Sequence, residues 1–174
     1  GLRGIARAYL ARAAAQAAAG DRAAAAQSDL DAYALGNVIP RGGVLVHLLV
    51  GLACQSLATR DLSARVYTLA RQDATAALER LRALDAQRVP YSQALAAERV
   101  CGLHQLLQTM RPPVASPADA KLFLERNWQP LNETYDQALA QAQRPWPQRG
   151  KLQPHGSVYG ESLLPWCESC FARF

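Results

Sequence analysis

The stretch LRGIARAYLARAAAQAAAGDRAAAAQSDLDAYAL, Leu2 to Leu35, decides the fold. Alanine, the best intrinsic helix former, dominates it, and no Gly or Pro interrupts it between Gly4 and Gly20. Gly20-Asp21 then supplies a helix-ending glycine followed by an N-capping aspartate, so the sequence predicts two helices joined by a two-residue turn, 2–19 and 22–35. Gly36-Asn37 and Pro40-Arg41-Gly42-Gly43 are expected to break the second helix.

Further along the chain the same reasoning gives four more helices. Val44 to Cys54 is an apolar run of eleven residues, interrupted by His47, which predicts a buried helix to about Thr59 and is far short of the ~20 residues that span a bilayer. Arg60-Asp61 repeats the logic of the first turn, so Asp61 or Ser63 is expected to cap a fourth helix to Leu84, whose stripe is Val66, Leu69, Ala70, Ala77, Leu81 and Leu84. A fifth runs from Tyr91 to Met110 between Pro90 and Pro112-Pro113. Ser116-Pro117-Ala118-Asp119 places a cap serine, a first-turn proline and an acid at the positive end of a sixth helix, which continues to Ala142 with a kink at Pro130.

No stretch alternates as a strand does, so the chain is expected to be all-α: six helices in three antiparallel hairpins, stacked as an α-solenoid or closed into a bundle. The pairs begin near residues 2, 44 and 91, spacings of 42 and 47 that suit two-helix repeat units. Residues 1–142 read as the helical domain. Residues 143–174 read as a Pro/Gly-rich tail carrying a short helix near Glu161–Leu164 that packs back onto it.

Residues 2–35 resemble a tetratricopeptide-type hairpin. Gly20 takes the turn, and Ala25 and Ala32 stand where that family keeps small residues for close helix packing. The likeness covers about a fifth of the chain. It departs from the pattern at Asp29 and near Gln16, where aromatics are expected, and at Pro40, which lies later than the closing proline. The resemblance implies an α-solenoid that binds a protein or peptide in a concave groove.

Charge narrows the partners. Nineteen Lys and Arg against fourteen Asp and Glu give +5, distributed as +1, +3, −1 and +2 over residues 1–35, 36–90, 91–142 and 143–174. That spread lacks the concentrated basic face of nucleic-acid binders. Seventeen of the basic residues are Arg, a bias typical of GC-rich bacterial genomes. The chain lacks an initiating Met and opens directly on helical sequence, so it is expected to be the soluble part of a longer envelope or scaffold protein. On that reading it is periplasmic or tethered outside the cytoplasm by an anchor elsewhere; a cytoplasmic scaffold is the alternative.

Two chemical constellations compete with this binding role. Glu98, Cys101 and His104 lie three residues apart on the fifth helix, and His47 and Cys54 seven apart on the third. If the two faces met, the four Cys and His residues would suit tetrahedral zinc and a metal- or thiol-dependent enzyme or sensor; the simpler reading makes them core residues. Cys54 and Cys101 could equally bridge two helices in an oxidising compartment. Cys167-Glu-Ser-Cys170 has the spacing of redox and zinc half-sites, but neither a preceding strand nor a second Cys pair accompanies it, which leaves a local disulfide as the expectation. No nucleophile elbow, phosphate loop or zincin helix occurs. Seven of the twelve aromatic residues fall in the last 47 positions, and Trp128, Tyr135, Trp146, Trp166 and Phe171 are the candidate partner contacts. The expected function is a non-enzymatic helical-repeat module for protein or peptide binding, without cofactor, with a small immunity or inhibitor protein as a further alternative.

Overall fold

The computed structural model describes residues 2–109, 116–145 and Gln148. They form six α-helices: α1 (Leu2–Ala18), α2 (Arg22–Val38), α3 (Leu45–Arg65), α4 (Arg71–Asp85), α5 (Tyr91–Thr109) and α6 (Pro117–Ala142), with one 3-10 turn at Val66–Thr68 between α3 and α4. No strand occurs among the described residues, and the fold is all-α. The chain forms two compact units that divide at Pro90, inside the segment read as one helical domain. The expected short helix at Glu161–Leu164 lies outside the described residues.

In the first unit the opening hairpin forms as its sequence dictates. Gly20 adopts φ +87°, the left-handed conformation that glycine reaches without penalty, and Asp21 Oδ1 accepts a 2.9 Å hydrogen bond from Ala24 N. α2 is the central element and packs against α1, α3 and α4. Alanines make the contact: Ala6, Ala13, Ala25 and Ala32 are completely buried, so the helices approach closely without large side chains between them.

Two apolar clusters sit on α2. One joins Leu10, Ala32, Tyr33 and Ala58, and the other Ala26, Leu30, Leu62 and Ala77; Leu81 and Leu84 pack against both. Residue numbers rise along α2 as they fall along α1 and α3, and rise again along α4. Consecutive helices therefore run antiparallel.

Two helix boundaries differ from expectation. α2 does not stop at Leu35 but continues to Val38, because Gly36 fits against Gly51 of α3 and Asn37 is buried and bonded. Arg60-Asp61 is not a turn: α3 runs on to Arg65. Asp61 Oδ1 accepts from Arg60 Nε at 3.0 Å and Ser63 Oγ donates to Arg60 O at 2.8 Å, so neither caps α4. Keeping Leu62 in helical register buries it against Leu30 and Ala77. The break falls instead at Val66–Thr68, which leaves Val66 in the turn rather than on the α4 stripe.

The second unit contains α5 and α6, packed on each other. Ser116 Oγ accepts a hydrogen bond from Asp119 N at 3.2 Å with Pro117 at the first helical position, the start that the sequence predicts. α6 passes through Pro130 as one helix. Arg99 on α5 pairs with Asp136 on α6 at 2.8 Å. Gly102 faces Tyr135, where a β-carbon would lie 3.5 Å from the phenol oxygen.

Candidate functional site

Polar side chains on α2 tie the first unit together before any of them faces a ligand. Arg12 of α1 and Arg80 of α4 clamp the two oxygens of Asp31, at 2.5 and 2.6 Å. Arg12 also donates to Ser28 Oγ at 2.9 Å, and Ser28 donates to Gln16 Oε1 at 2.6 Å. Arg80 reaches Gln27 Oε1 at 2.6 Å. Charge-assisted bonds of this kind hold helices in register, and both guanidinium groups are spent on that task.

One turn further along α2, an open cleft of ≈ 420 Å³ is lined by Tyr33, Thr59, Leu81, Arg82, Asp85 and Ala86. Leu81, Ala86 and the Tyr33 ring are its apolar surface. Tyr33 Oη donates to Asp85 Oδ1 at 3.0 Å, and Arg88 lies 3.3 Å from the same oxygen. Burial, followed by the hydrogen bond to Asp85, pushes the Tyr33 hydroxyl above its ordinary pKa. Thr59 donates to Gln55 O at 2.8 Å. Arg82 is exposed and has no partner among the described residues. An apolar floor with a cation and an anion on its rim suits a polypeptide segment that offers an apolar side chain between charged ones.

The residues singled out by sequence chemistry fall in both units, His47 and Cys54 in the first and Cys101 and His104 in the second. His47 is exposed on α3, and its Nδ1 accepts a 3.2 Å bond from Val44 N at the start of its own helix. Cys54, seven residues on, is wholly buried. Cys101 is half-buried on α5, and His104 is exposed and bonded to Gln108 at 2.8 Å. Cys54 and Cys101 are both free thiols, so the inter-helix bridge allowed by the sequence is not formed. Among the described residues no group of three or more His, Cys, Asp and Glu comes together to hold a metal ion. Trp128 and Tyr135 are half-buried on α6. Trp146, Trp166, Phe171, Cys167 and Cys170 lie outside the described residues.

The two thiols are expected to differ in reactivity. Burial raises the Cys54 pKa, with the Arg3 charge opposing only in part, and the thiolate is the reactive form. Brief iodoacetamide treatment of the native chain at pH 8, followed by peptide mass spectrometry, should label Cys101 and leave Cys54 unmodified until urea is added. Equal labelling of both would contradict the burial described.

The cleft was not visible as a site in the sequence, because its lining comes from three helices whose register had to be known first. Asp29, by contrast, left a signal: it falls four residues after Ala25 and three before Ala32, on the buried stripe itself. A carboxylate there needs a partner, and Arg65 Nε supplies it at 2.8 Å. No family model, curated protein or solved structure matches the chain.

Proposed function

We propose that this chain is a non-enzymatic helical interaction module that holds a protein or peptide partner, and that it forms the soluble part of a longer bacterial envelope or scaffold protein. The carrying observation is the cleft on α2, α3 and α4, in which an apolar floor is rimmed by exposed Arg82 and by Asp85. Interfaces combine an apolar centre with a polar rim in this way. The scaffold beneath the cleft is cross-tied by the Asp31 clamp, so little ordering has to accompany docking. Ala25 and Ala32, at 0% exposure, and left-handed Gly20 support the tetratricopeptide-like reading of the first hairpin, while Asp29 stands where that family would place an aromatic. No described helix is long and apolar enough to cross a membrane.

Affinity capture with the wild-type chain and the Arg82→Glu variant tests the reading. Arg82 is exposed, so the substitution should leave the thermal unfolding midpoint within a few degrees of wild type. A partner retained by wild type and lost from Arg82→Glu is the expected result. A partner captured equally by both places the contact elsewhere, and the absence of any stoichiometric partner overturns the binding role.

A further inference from the structure

The 3-10 corner between α3 and α4 is built of the wrong residues for a solvent turn. Such corners favour Gly, Asn, Asp and Ser, whose side chains are small or bond to the local backbone. This one is Val66-Tyr67-Thr68, with Val66 38% and Tyr67 92% exposed. It is also tightly held. Leu69 N donates to Val66 O at 3.3 Å, Thr68 Oγ1 to Arg65 O at 2.8 Å, and Arg22 Nη1 reaches from α2 to Thr68 O at 3.1 Å. Immediately before the corner, Arg65 is anchored to Asp29, a fully buried carboxylate whose second oxygen has no hydrogen-bond partner among the described residues. Buried ion pairs seldom add net stability, so what this one achieves is geometric: it fixes the end of α3.

We infer that this corner is a preformed docking knob, with Tyr67 packing against an apolar side chain of an acidic peptide segment on a protein partner. Tyrosine combines a large apolar ring with a polar tip and is enriched among residues that dominate binding energy. A rigid turn presents it without the ordering cost of a flexible loop. The acidic character of that segment follows from charge. Arg22 borders the corner, Arg71 opens α4 exposed and without a partner among the described residues, and residues 1–90 carry eleven arginines against seven acids. An acidic segment gains from both guanidinium groups, whereas a basic one is repelled.

The inference rests on the interaction reading and adds a second contact, at the corner, to the one in the cleft; a short peptide held at the corner does not reach Arg82. The test is selection of a phage-displayed random twelve-residue peptide library against the full chain, followed by titration of the selected peptides. Enrichment of Asp and Glu around an aromatic or aliphatic residue is expected. Affinity should fall at least tenfold for Tyr67→Ala and for Arg71→Glu, weaken with added salt, and stay unchanged for Arg82→Glu. Peptides that bind Tyr67→Ala as well as wild type overturn the knob. If those same peptides are lost with Arg82→Glu, the interaction reading survives with its contact in the cleft; failure to select any binder sinks both. Because Tyr67 is almost wholly exposed, its removal should leave the circular dichroism and unfolding midpoint as they were.

Discussion

Gly51→Ala should destabilise the chain by about 3 kcal/mol, reversing the sign that helix propensity alone gives. Alanine exceeds glycine in a helix interior by about 1 kcal/mol, and Gly51 lies inside α3. Here, however, a β-carbon would sit 2.5 Å from the backbone oxygen of Gly36 and 3.1 Å from Pro40 Cδ. Neither obstacle is the free end of a flexible side chain, so α2 and α3 must move apart. Gly36 is the reciprocal half of the contact, where a β-carbon would meet Gln55 Cγ at 2.6 Å and Gly51 O at 2.7 Å. Beside this crossing, Gln55 Nε2 donates to Asn37 Oδ1 at 2.5 Å and Asn37 Nδ2 to Leu84 O at 2.6 Å, a relay that ties α3 to α2 to α4. Separating the helices breaks it and leaves buried polar atoms unmet, at about 1–3 kcal/mol each. Gly4→Ala is the matched control: nothing lies within 4 Å of its β-carbon, and it should stabilise α1 by about 0.5–1 kcal/mol. Urea unfolding followed by circular dichroism measures both. A Gly51→Ala chain as stable as Gly4→Ala would remove the close crossing from this account. The Gly36→Ala, Gly51→Ala double variant should lose less than the two single losses combined, because both force apart the same crossing.

That crossing also explains how far the sequence could be read. Helical class, the Gly20-Asp21 turn and the Ser116 start are set by neighbours within four residues, and propensity with capping is sufficient for them. Gly36 and Asp61 mislead for one shared reason. Gly36 reads as a helix breaker and Asp61 as a cap when judged locally, yet each is overruled by a partner distant in sequence: Gly51 for the first, and for the second the burial of Leu62 against Leu30 and Ala77. The cleft is a further case: Tyr33, Thr59 and Asp85 come from α2, α3 and α4 and meet only through helix packing, which no local signal specifies. The aromatic-rich end drew attention by composition, but of its five candidate contacts only Trp128 and Tyr135 fall among the described residues. Asp29 was legible in position and not in meaning, since the guanidinium that answers it comes from the far end of another helix.

Arg65→Ala should cost about 3–5 kcal/mol at pH 7, the usual loss when one partner of a buried ion pair is removed, whereas Asp29→Asn should fall within about 1 kcal/mol of wild type. The asymmetry follows from burial. Asp29 has 0% exposure and Arg65 20%, so an abandoned carboxylate stays without solvent while an abandoned guanidinium can turn toward water. Asparagine keeps the shape, can still accept from Arg65, and removes the charge whose desolvation is the largest influence on Asp29. That desolvation outweighs the opposing attraction of Arg65, with Asp61 adding a smaller repulsion, and holds the Asp29 pKa above its ordinary value. The pH dependence has a definite sign. A carboxyl that binds its proton more tightly folded than unfolded favours folding as pH falls through its raised folded value, and the gain is complete once the unfolded value is passed. Removing Arg65 raises the folded value further, so the deficit of Arg65→Ala relative to wild type should be largest at neutral pH and narrow on acidification. Other carboxylates such as Asp31 lose their ion pairs in both chains and cancel in the difference. Parallel urea titrations of the two chains from pH 7 down to pH 4 provide the measurement. A deficit that stayed constant or widened toward pH 4 would mean that Asp29 meets solvent in the folded chain, and the corner at Val66–Thr68 would lose the buried anchor assigned to it.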